Sequence, residues 1–456
     1  MVNELLTSRL LSCFIGYRRG TFNNILSFII TYKNMAPKHK RNVEDILARV
    51  NFPLFTLQML TNRHVLVGGG GGSSKTGVAN GFEIFELSHD GRKFLVEEVT
   101  RHETGPNVVM NCAVFNDSKH SYLVAGQESH CQLYHVNTEL ITEENGMVQN
   151  IGNGNEDLHQ RKSKVKDKTD NNKNVHKKLK FVLNPSDSVQ TDFNGLEPLC
   201  RVLRVHCNGK IIATGGTDGD VRIWRFPHLQ PLAKLKAHSK EIDDLDFSQF
   251  GNYLVSVAKD GFAILWDYVK GTEITRLGWK QPEGSKYLYK RCRFGLVEGE
   301  KSKSTLYMLA NPTGVAKKQK SYLQQWIPEE ATIKKSAEFD ESLSALAVRD
   351  DGRFVAVGTM FSGSVSIYIA FSLQKVLNVA GAHSMFVTGL EFLPVSNLEN
   401  YTICSAAEAA VLSISVDNQV CIHTLPYRRT MPLWMGIVIL IFTLFMTFLF
   451  CSYIGL

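Results

Sequence analysis

The sequence predicts an all-β protein, a seven-bladed β-propeller over residues 51–427, followed by a single C-terminal transmembrane helix over residues 433–454. Two observations support this prediction. A short pattern of apolar and aromatic residues recurs seven times along the 456-residue chain, and no charged side chain occurs from Met431 to the C-terminus. The composition, 44% hydrophobic and 21% charged, is that of a globular protein and excludes a collagen, a wholly disordered chain and a polytopic transporter.

The recurring pattern reads apolar-x-apolar-aromatic, and each copy marks one blade. The copies begin at Phe82, Cys131, Val221, Ala263, Leu323, Val365 and Val420. Two of the intervals between them are 42 residues, which is the length of a four-stranded propeller blade. The longest interval, 90 residues, contains a charged insert.

Two copies carry finer detail that is typical of the WD repeat. An Asp-Gly turn precedes Trp224 and another precedes Trp266, and each joins two apolar β runs. Ala237-His238 and Ala382-His383 stand where a WD blade carries Gly-His. His238, Ser256, Asp260 and Trp266 therefore match the hydrogen-bonded set that holds a WD blade together, and we assign them a structural role.

Seven blades close into a ring, which leaves only short protected sheet edges. We expect early apolar strands such as Phe52 to Met59 to pair with the last blade and close it. Residues 1–50 form a poorly defined N-terminal extension, and no function is assigned to residues 1–34. Met1 and Met35 both remain open as the start of the protein.

The C-terminal segment from Leu433 to Ile454 is mostly apolar. As a helix it would be about 33 Å long, enough to cross a hydrocarbon core of about 30 Å. Arg428 and Arg429 precede it and only two residues follow it. The positive-inside rule then puts the propeller in the cytosol, and we predict a single-pass membrane protein.

Residues 139–180 form the insert, and we expect it to be charged and disordered. Between residues 159 and 180 there are nine Lys or Arg residues against Asp167 and Asp170, a net charge of +7. Three interpretations remain open: a solvated loop, attraction to anionic lipid headgroups, or nucleic-acid binding. Nucleic acid is the least favoured partner, because no aromatic residues are interleaved for base stacking.

The segment 68–81 contains five consecutive glycines followed by Ser-Ser-Lys-Thr-Gly-Val-Ala-Asn-Gly. It nearly fits the phosphate-loop pattern, but Ser74 holds the required glycine position before Lys75 and Thr76, and a strand is expected to follow instead of a helix. We therefore reject nucleotide binding by this chain. Such a run lets main-chain groups converge to hold a cation or to present backbone to a partner; a flexible loop is the alternative.

Neither structural zinc nor a catalytic site is predicted. The nine cysteines form no CxxC pair, and no Ser/His/Asp order, carboxylate pair or metal-spaced histidine cluster stands out.

The glycine-rich segment also carries a resemblance to a known family. The stretches FPLF at 52–55, LVGGGGG at 66–72 and SKTGVANG at 74–81 resemble the first blade of the endoplasmic-reticulum exchange factors for the small GTPase of the COPII coat. The animal members are called prolactin regulatory element-binding protein. The stretches AHS at 382–384, CSAA at 404–407 and IHTLP at 422–426, followed by one anchor, are similar too.

This resemblance implies a cytosolic propeller at the endoplasmic-reticulum membrane that binds the GDP form of the GTPase and allows GTP to load. It implies GTPase contacts at Asn80, Gly77 and Val78. It also implies that a glycine-rich loop coordinates a potassium ion, with Gly68, Gly69, Gly70 and Gly71 shaping it and the individual ligands unassigned. Ser74, Lys75 and Thr76 are weaker candidates, because yeast-type members lack them.

The implied mechanism is differential binding without covalent chemistry, so the chain is not expected to be an enzyme in that sense. Two other hypotheses stay open at this point. One is a membrane-anchored propeller scaffold without exchange activity. The other is a transcriptional regulator, which the tail anchor and the lack of a DNA-binding motif disfavour.

Overall fold

The computed structural model describes most of the chain. The described residues are 38–40, 45–72, 77–117, 119–144, 147–153, 176–250, 252–297, 300–314, 319–395, 407–427 and 433–454. Within them, seven β-sheets stand around a central channel, with the first strand of each sheet next to the first strand of the following one. The seventh sheet also contacts the first, so the ring is closed. The predicted seven-bladed WD propeller is confirmed.

Four blades consist of four consecutive antiparallel strands, which we name a to d from the channel outward. Blade 1 has β3 (Leu54–Met59), β4 (His64–Gly70), β5 (Asn80–His89) and β6 (Phe94–Glu103). Blade 3 has β12 (Cys200–Val205), β13 (Ile211–Gly216), β14 (Asp220–Arg225) and β15 (Gln230–Lys236). Blade 4 has β16 (Ile242–Phe247), β17 (Tyr253–Ala258), β18 (Ala263–Asp267) and β19 (Thr272–Leu277). Blade 5 has β20 (Lys286–Val297), β21 (Glu300–Thr313), β22 (Ser321–Ile327) and β23 (Thr332–Phe339).

The other three blades have additional or exchanged strands. Blade 2 has β7 (Val109–Asn116), β8 (Ser121–Gln127), β9 (His130–Glu144) and β11 (His176–Gln190), with β10 (Met147–Asn153) also paired to β9. Blade 6 has β24 (Leu343–Val348), β25 (Phe354–Thr359), β26 (Val365–Ile369) and β27 (Gln374–Ala380), with β1 (Lys38–Lys40) added in parallel outside β27. Blade 7 has β28 (Val387–Phe392), β29 (Ala409–Ser415) and β30 (Gln419–Leu425), and β2 (Ile46–Arg49) is its fourth strand.

The repeated motif lies on strand c of every blade, and the burial of each strand explains why it is apolar. A blade packs against a neighbour on both sides, so strands b and c are buried on both faces. For example, every residue of β25 is buried. The outer strand β15 is mostly exposed, with only Leu235 fully buried. This is the reason why strands b and c carry the clear sequence signal and strands d do not.

The ring is closed by a strand other than the one expected from the sequence. Residues Ile46–Arg49 pair antiparallel with β30, whereas Leu54–Met59 form strand a of blade 1 and pair with β4. The expectation that Phe52 to Met59 pairs with the last blade was therefore wrong. Part of the N-terminal extension, β1 and β2, belongs to the propeller.

The insert of blade 2 is partly strand. Strand β9 continues to Glu144, and β10 and β11 pair with its two edges beyond the point where β8 begins. The expectation of disorder thus does not hold for residues 139–144, 147–153 and 176–180, because backbone ladder pairing needs no apolar side chains. Residues 154–175, which carry most of the basic charge, lie outside the described residues.

The two faces of the propeller are distinguished by their connections. Because successive strands are antiparallel, all b–c and d–a connections emerge on one face and all a–b and c–d connections on the other. We call the face that carries residues 71–79 the upper face and the face that carries residues 90–93 the lower face. Strand β30 is a c strand, so the chain leaves the propeller at Leu425 on the lower face.

Beyond the propeller, helix α1 spans Leu433–Ile454. Its side chains are described at Ile437, Val438 and residues 440–454, and all of these are exposed. Over the residues that the structure describes, no helix reaches the length and apolarity needed to cross a bilayer.

Candidate functional site

The glycine-rich segment is the b–c connection of blade 1 and lies on the upper face. Strand β4 ends at Gly70 and strand β5 begins at Asn80. A strand therefore follows the glycines, as predicted, and the segment lacks the helix N-terminus that a phosphate loop requires. Ser74, Lys75 and Thr76 lie outside the described residues.

Asn80 holds the two ends of this connection together. Its Oδ1 accepts a hydrogen bond from the Gly72 main-chain N–H at 2.9 Å. Its Nδ2 donates to the Gly72 carbonyl at 3.2 Å and to the Gly105 carbonyl at 2.9 Å. The residue is only 5% exposed, so the structure gives this side chain an internal, positioning role. The GTPase contact that the resemblance implies here stays a prediction.

The first three glycines belong to a strand rather than to a loop. Gly68, Gly69 and Gly70 are the last residues of β4 and all are buried. A Cβ added at Gly69 would lie 1.9 Å from the Pro53 carbonyl oxygen, and one at Gly70 would lie 2.1 Å from Asn80 Oδ1. These glycines therefore permit close packing of the blade. Of the four glycines, Gly71 lies in the connection, and the loop-shaping role that the resemblance implies for all four stays a prediction.

The connection itself is exposed at one of the expected contact residues. Gly77 is exposed, its φ is +75°, and a Cβ added to it would have no atom within 4 Å. Val78 is half-buried and packs against the core shared by blades 1 and 7. Gly105, whose carbonyl is fixed by Asn80, was missed by the sequence reasoning, because no local motif marks it.

A buried carboxylate lies on the same strand as Asn80. Glu83 is 3% exposed, and its Oε1 is 3.7 Å from Arg101 Nε. Burial raises the pKa of Glu83 to about 7, and the nearby Glu98 raises it further in the same direction, while Arg101 opposes the shift. Glu83 therefore titrates near neutral pH, close to the upper-face connection.

The upper face also exposes large apolar side chains on connections of other blades. Leu196 is 92% exposed, Phe361 74% and Phe193 59%. Phe193 and Leu196 lie before blade 3 and Phe361 lies in blade 6, and single exposed apolar residues of this kind are ordinary.

The residues predicted to hold a WD blade together do so. His238 Nδ1 lies 3.0 Å from the Asp260 carboxylate, and its Nε2 lies 2.8 Å from Ser256 Oγ. Trp266 Nε1 donates to the same Oγ at 2.9 Å. The structural role assigned to these four residues is confirmed.

Blade 7 repeats this arrangement with one change that the sequence reasoning missed. His383 faces Asp417 through Nδ1 at 3.1 Å and Ser413 Oγ through Nε2 at 2.7 Å. His423 Nε2 lies 2.8 Å from Ser413 Oγ and so occupies the position of the tryptophan. Burial, together with the neighbouring His383, lowers the pKa of His423 to about 3.

The central channel is the other concave feature, a cavity of about 370 Å³ lined by strands a. The charged side chains that line the channel largely pair with one another. Asp244 accepts hydrogen bonds from the guanidinium groups of Arg204 and Arg293, and Asp246 accepts from the Phe294 main-chain N–H at 2.7 Å. These residues tie blades 3, 4 and 5 together around the channel.

Side-chain metal ligands do not cluster anywhere in the described residues: no group of three or more His, Cys, Asp or Glu side chains could hold a metal ion. The described cysteines of the propeller are free thiols, and all but Cys207 are buried.

Comparison with known proteins gives a consistent result. The family described as WD domain, G-beta repeat matches residues 196–225 and 229–267, which contain the strands from β12 of blade 3 to β18 of blade 4. The chain is similar to the guanine nucleotide-exchange factor SEC12 of Mus musculus, with 32% identity over 420 residues, which cover 90% of this chain and 97% of that protein. The values for the Rattus norvegicus protein of that name are the same. It is also similar to SEC12-like protein 2 of Arabidopsis thaliana, 28% identical over 192 residues, 41% of this chain and 45% of that protein.

Proposed function

Because the chain belongs to the SEC12 guanine nucleotide-exchange factor family, we propose that it promotes GDP release and GTP loading on the small GTPase that initiates COPII coat assembly. The exchange-factor role is supported by relatives that match nearly the whole chain, which disfavours a scaffold without exchange activity and a transcriptional regulator. The identity of the GTPase comes from the resemblance of the blade 1 segment to that family.

The observation that carries the proposed site is the fixed upper-face connection of blade 1. Asn80 makes three hydrogen bonds that hold Gly72 and Gly105, so the main chain at these two upper-face residues is preorganised. A preorganised loop loses little conformational entropy when a partner docks. In this proposal Gly77 and Val78 meet the GTPase, and Asn80 acts by keeping the loop in place.

Exchange by this route needs no covalent step. The factor has to bind the nucleotide-free GTPase more tightly than the GDP-bound form, and each 1.4 kcal/mol of that preference is worth about tenfold in the nucleotide equilibrium.

A potassium ion at residues 68–81 stays part of the proposal. Carbonyl oxygens are suitable ligands for a hard cation, and the upper-face connections of blade 1 offer them at Gly72 and Gly105. Both already accept from Asn80 Nδ2, so a bound ion would add to an arrangement that the amide already holds. An ion would supply stiffness to the loop.

We further propose that the propeller is anchored to the endoplasmic-reticulum membrane by residues 433–454 and faces the cytosol. The support is the uncharged stretch of the sequence from Met431 onward and the arginines at 428 and 429. Anchoring would confine activation of the GTPase to the bilayer on which the coat assembles.

The proposal is tested by nucleotide exchange with the full-length protein in vesicles and the COPII GTPase loaded with fluorescent GDP. The informative variant is Gly77→Asn, because asparagine tolerates a positive φ and the position is exposed with open space around it. The matched control is Gly91→Asn on the lower-face turn of the same blade, where φ is +90° and space is also open.

Wild type and Gly91→Asn are expected to release GDP at the same accelerated rate in GTP, and Gly77→Asn at least about tenfold more slowly. All three should unfold at the same urea concentration. Lack of acceleration by folded wild type would refute the exchange function with this GTPase. Full activity of Gly77→Asn would instead refute the site. A faster rate in potassium than in sodium buffer would support the ion, and equal rates would exclude it.

A further inference from the structure

The place where the chain leaves the propeller constrains which face can lie near a membrane. Strand β30 ends at Leu425 on the lower face, and the exposed Tyr427 follows it. Helix α1 begins six residues later, at Leu433. Six residues span at most about 20 Å even when fully extended. If α1 is the anchor, the lower face of the propeller is within this distance of the bilayer.

The two lower-face turns of blade 4, which we call the blade 4 tip, combine exposed apolar and basic side chains. Val269 is 66% exposed and Phe250 is 38% exposed. The turns that carry them are joined, because the Tyr268 N–H donates to the Asn252 carbonyl at 3.0 Å. Lys270 beside Val269 has a 76% exposed side chain. Apolar residues next to cations are the composition that favours the interfacial region of a bilayer.

In three lower-face turns, which belong to blades 1, 2 and 4, exposed basic residues lie beside a carboxylate that is hydrogen-bonded to the backbone of its own turn. Asp90, Asp117 and Asp267 each accept two main-chain N–H hydrogen bonds within their own turns. These hydrogen bonds lower the pKa of all three carboxyl groups. The exposed cations of these turns and of the a–b turn of blade 3 are Arg92, Lys93, Lys119, Lys210 and Lys270.

The strands of the blade 2 insert extend in the same direction. Strand β9 pairs with β8 only as far as Val136 and then continues to Glu144, past the lower edge of the blade. Its partner β11 includes the exposed Lys180. This ribbon therefore leaves from the face at which the chain exits toward α1.

We propose that the lower face of blades 1 to 4 lies against the cytosolic leaflet and contacts its anionic headgroups, with the blade 4 tip at the interface. This inference rests on the membrane anchoring in the proposed function. Each basic residue near an anionic surface adds to the attraction, and the effect falls off within about 10 Å at 0.1 M salt. The six residues from Tyr427 to Leu433 limit the separation to about 20 Å, so the face can approach the bilayer closely enough for the attraction to act. The upper-face connection of blade 1 then points away from the bilayer, toward the cytosol.

The orientation is tested by photo-crosslinking in the full-length protein. A benzophenone amino acid replaces Val269 on the lower face or Phe361 on the upper face, both highly exposed. Each variant is reconstituted into vesicles of phosphatidylcholine and phosphatidylserine that contain a radiolabelled lipid. A third protein combines the Val269 substitution with Lys210→Glu and Lys270→Glu. Flotation and nucleotide exchange are measured on the same samples.

We expect the yield of lipid crosslinking at position 269 to exceed the yield at position 361 at least fivefold. In the charge-reversed protein, or in vesicles of pure phosphatidylcholine, we expect the yield at position 269 to fall several-fold. Equal yields at the two positions, or a higher yield at 361, in protein that floats with the vesicles would overturn the orientation and leave the exchange function intact. A yield at 269 that is insensitive to charge would overturn the role of anionic headgroups. Failure to float would refute the anchor itself, and this inference with it.

Discussion

Asn80 donates a hydrogen bond from Nδ2 to the main-chain carbonyl of Gly105 at 2.9 Å. This contact joins the b–c connection of blade 1 to the d–a connection that leads into blade 2. The same amide group also bonds Gly72, so one buried side chain fixes the spacing of two upper-face segments. A residue that the sequence resemblance suggests as a GTPase contact is thus, in the structure, the internal support of the connection.

The substitution Asn80→Asp tests the hydrogen bonds that Asn80 donates, because it removes them with almost no change in side-chain size. It keeps the acceptor for the Gly72 N–H but replaces both Nδ2 donations with a carboxylate oxygen that faces two carbonyls. We expect nucleotide exchange to fall at least about tenfold, and the free energy of unfolding to fall by about 1 to 3 kcal/mol, because buried acceptors lose their donors.

The control for this substitution is Asn208→Asp on the lower face. The Oδ1 of Asn208 accepts from the Lys210 N–H at 2.9 Å, a role that a carboxylate can perform. Exchange rates and urea unfolding midpoints of both variants are compared with wild type. Normal exchange by Asn80→Asp would show that the Asn80 amide does not support the functional loop.

The glycines of blade 1 are predicted to differ in what they contribute to stability. Gly69→Ala puts a Cβ 1.9 Å from the Pro53 carbonyl oxygen, a main-chain atom that cannot move cheaply, and we expect a loss of about 2 to 4 kcal/mol. Gly72→Ala meets no atom within 4 Å but keeps a φ of +80°, which costs about 1 kcal/mol.

Urea denaturation followed by tryptophan fluorescence measures both values. A Gly69→Ala protein as stable as wild type would contradict the close packing of β4 against the Pro53 segment. We assign close packing to Gly69 and a positive φ to Gly72. A Gly72→Ala protein that is less stable than the Gly69→Ala protein would contradict this assignment.

The blades were predictable because the sequence of strand c reflects its burial between two neighbouring blades. A strand buried on both faces by neighbouring blades must be apolar at nearly every position, and β18 and β26 show this in sequence and in burial. The closing strand Ile46–Arg49 was not predictable in this way. It is a half-buried outer strand, and its partner Gln419–Leu425 lies at the other end of the chain, so no local pattern connects the two.

The candidate site was predictable as a segment but not in its internal roles. The glycine run and Asn80 are visible in the sequence. The division between strand glycines and loop glycines depends on the Pro53 carbonyl, which belongs to a different segment of the blade. Likewise, the contact of Asn80 with Gly105 links residues 25 positions apart through the fold of the blade.

Glu83 is predicted to make the propeller less stable as pH rises through neutrality. Its pKa is raised to about 7 in the folded state from a value near 4.5, so the folded protein binds the proton more tightly than the unfolded chain. The free energy of unfolding therefore decreases between pH 4.5 and pH 7. Over the same pH range, the free energy of unfolding of Glu83→Gln is expected to decrease by about 1 to 3 kcal/mol less than that of wild type.

Urea unfolding at pH 5 and pH 8 measures the effect of Glu83→Gln. Glu103→Gln is the control, because Glu103 is exposed on β6. If wild type and Glu83→Gln lose the same stability between the two pH values, the buried carboxyl group is not the cause of the pH dependence.

His423 is predicted to have the opposite pH dependence. Burial lowers its pKa to about 3, so the unfolded chain binds the proton more tightly between pH 3 and pH 6.5. The stability of blade 7 is complete above pH 6.5 and is lost as pH falls below it, by about 2 kcal/mol at pH 5. His423→Gln cannot be protonated, and its amide can still donate to Ser413 Oγ. We therefore expect this variant to lose less stability than wild type between pH 7.5 and pH 5, with urea midpoints as the measurement. Equal losses in the two proteins would mean that His423 accepts a proton without unfolding, which its burial beside Ser413 and His383 argues against.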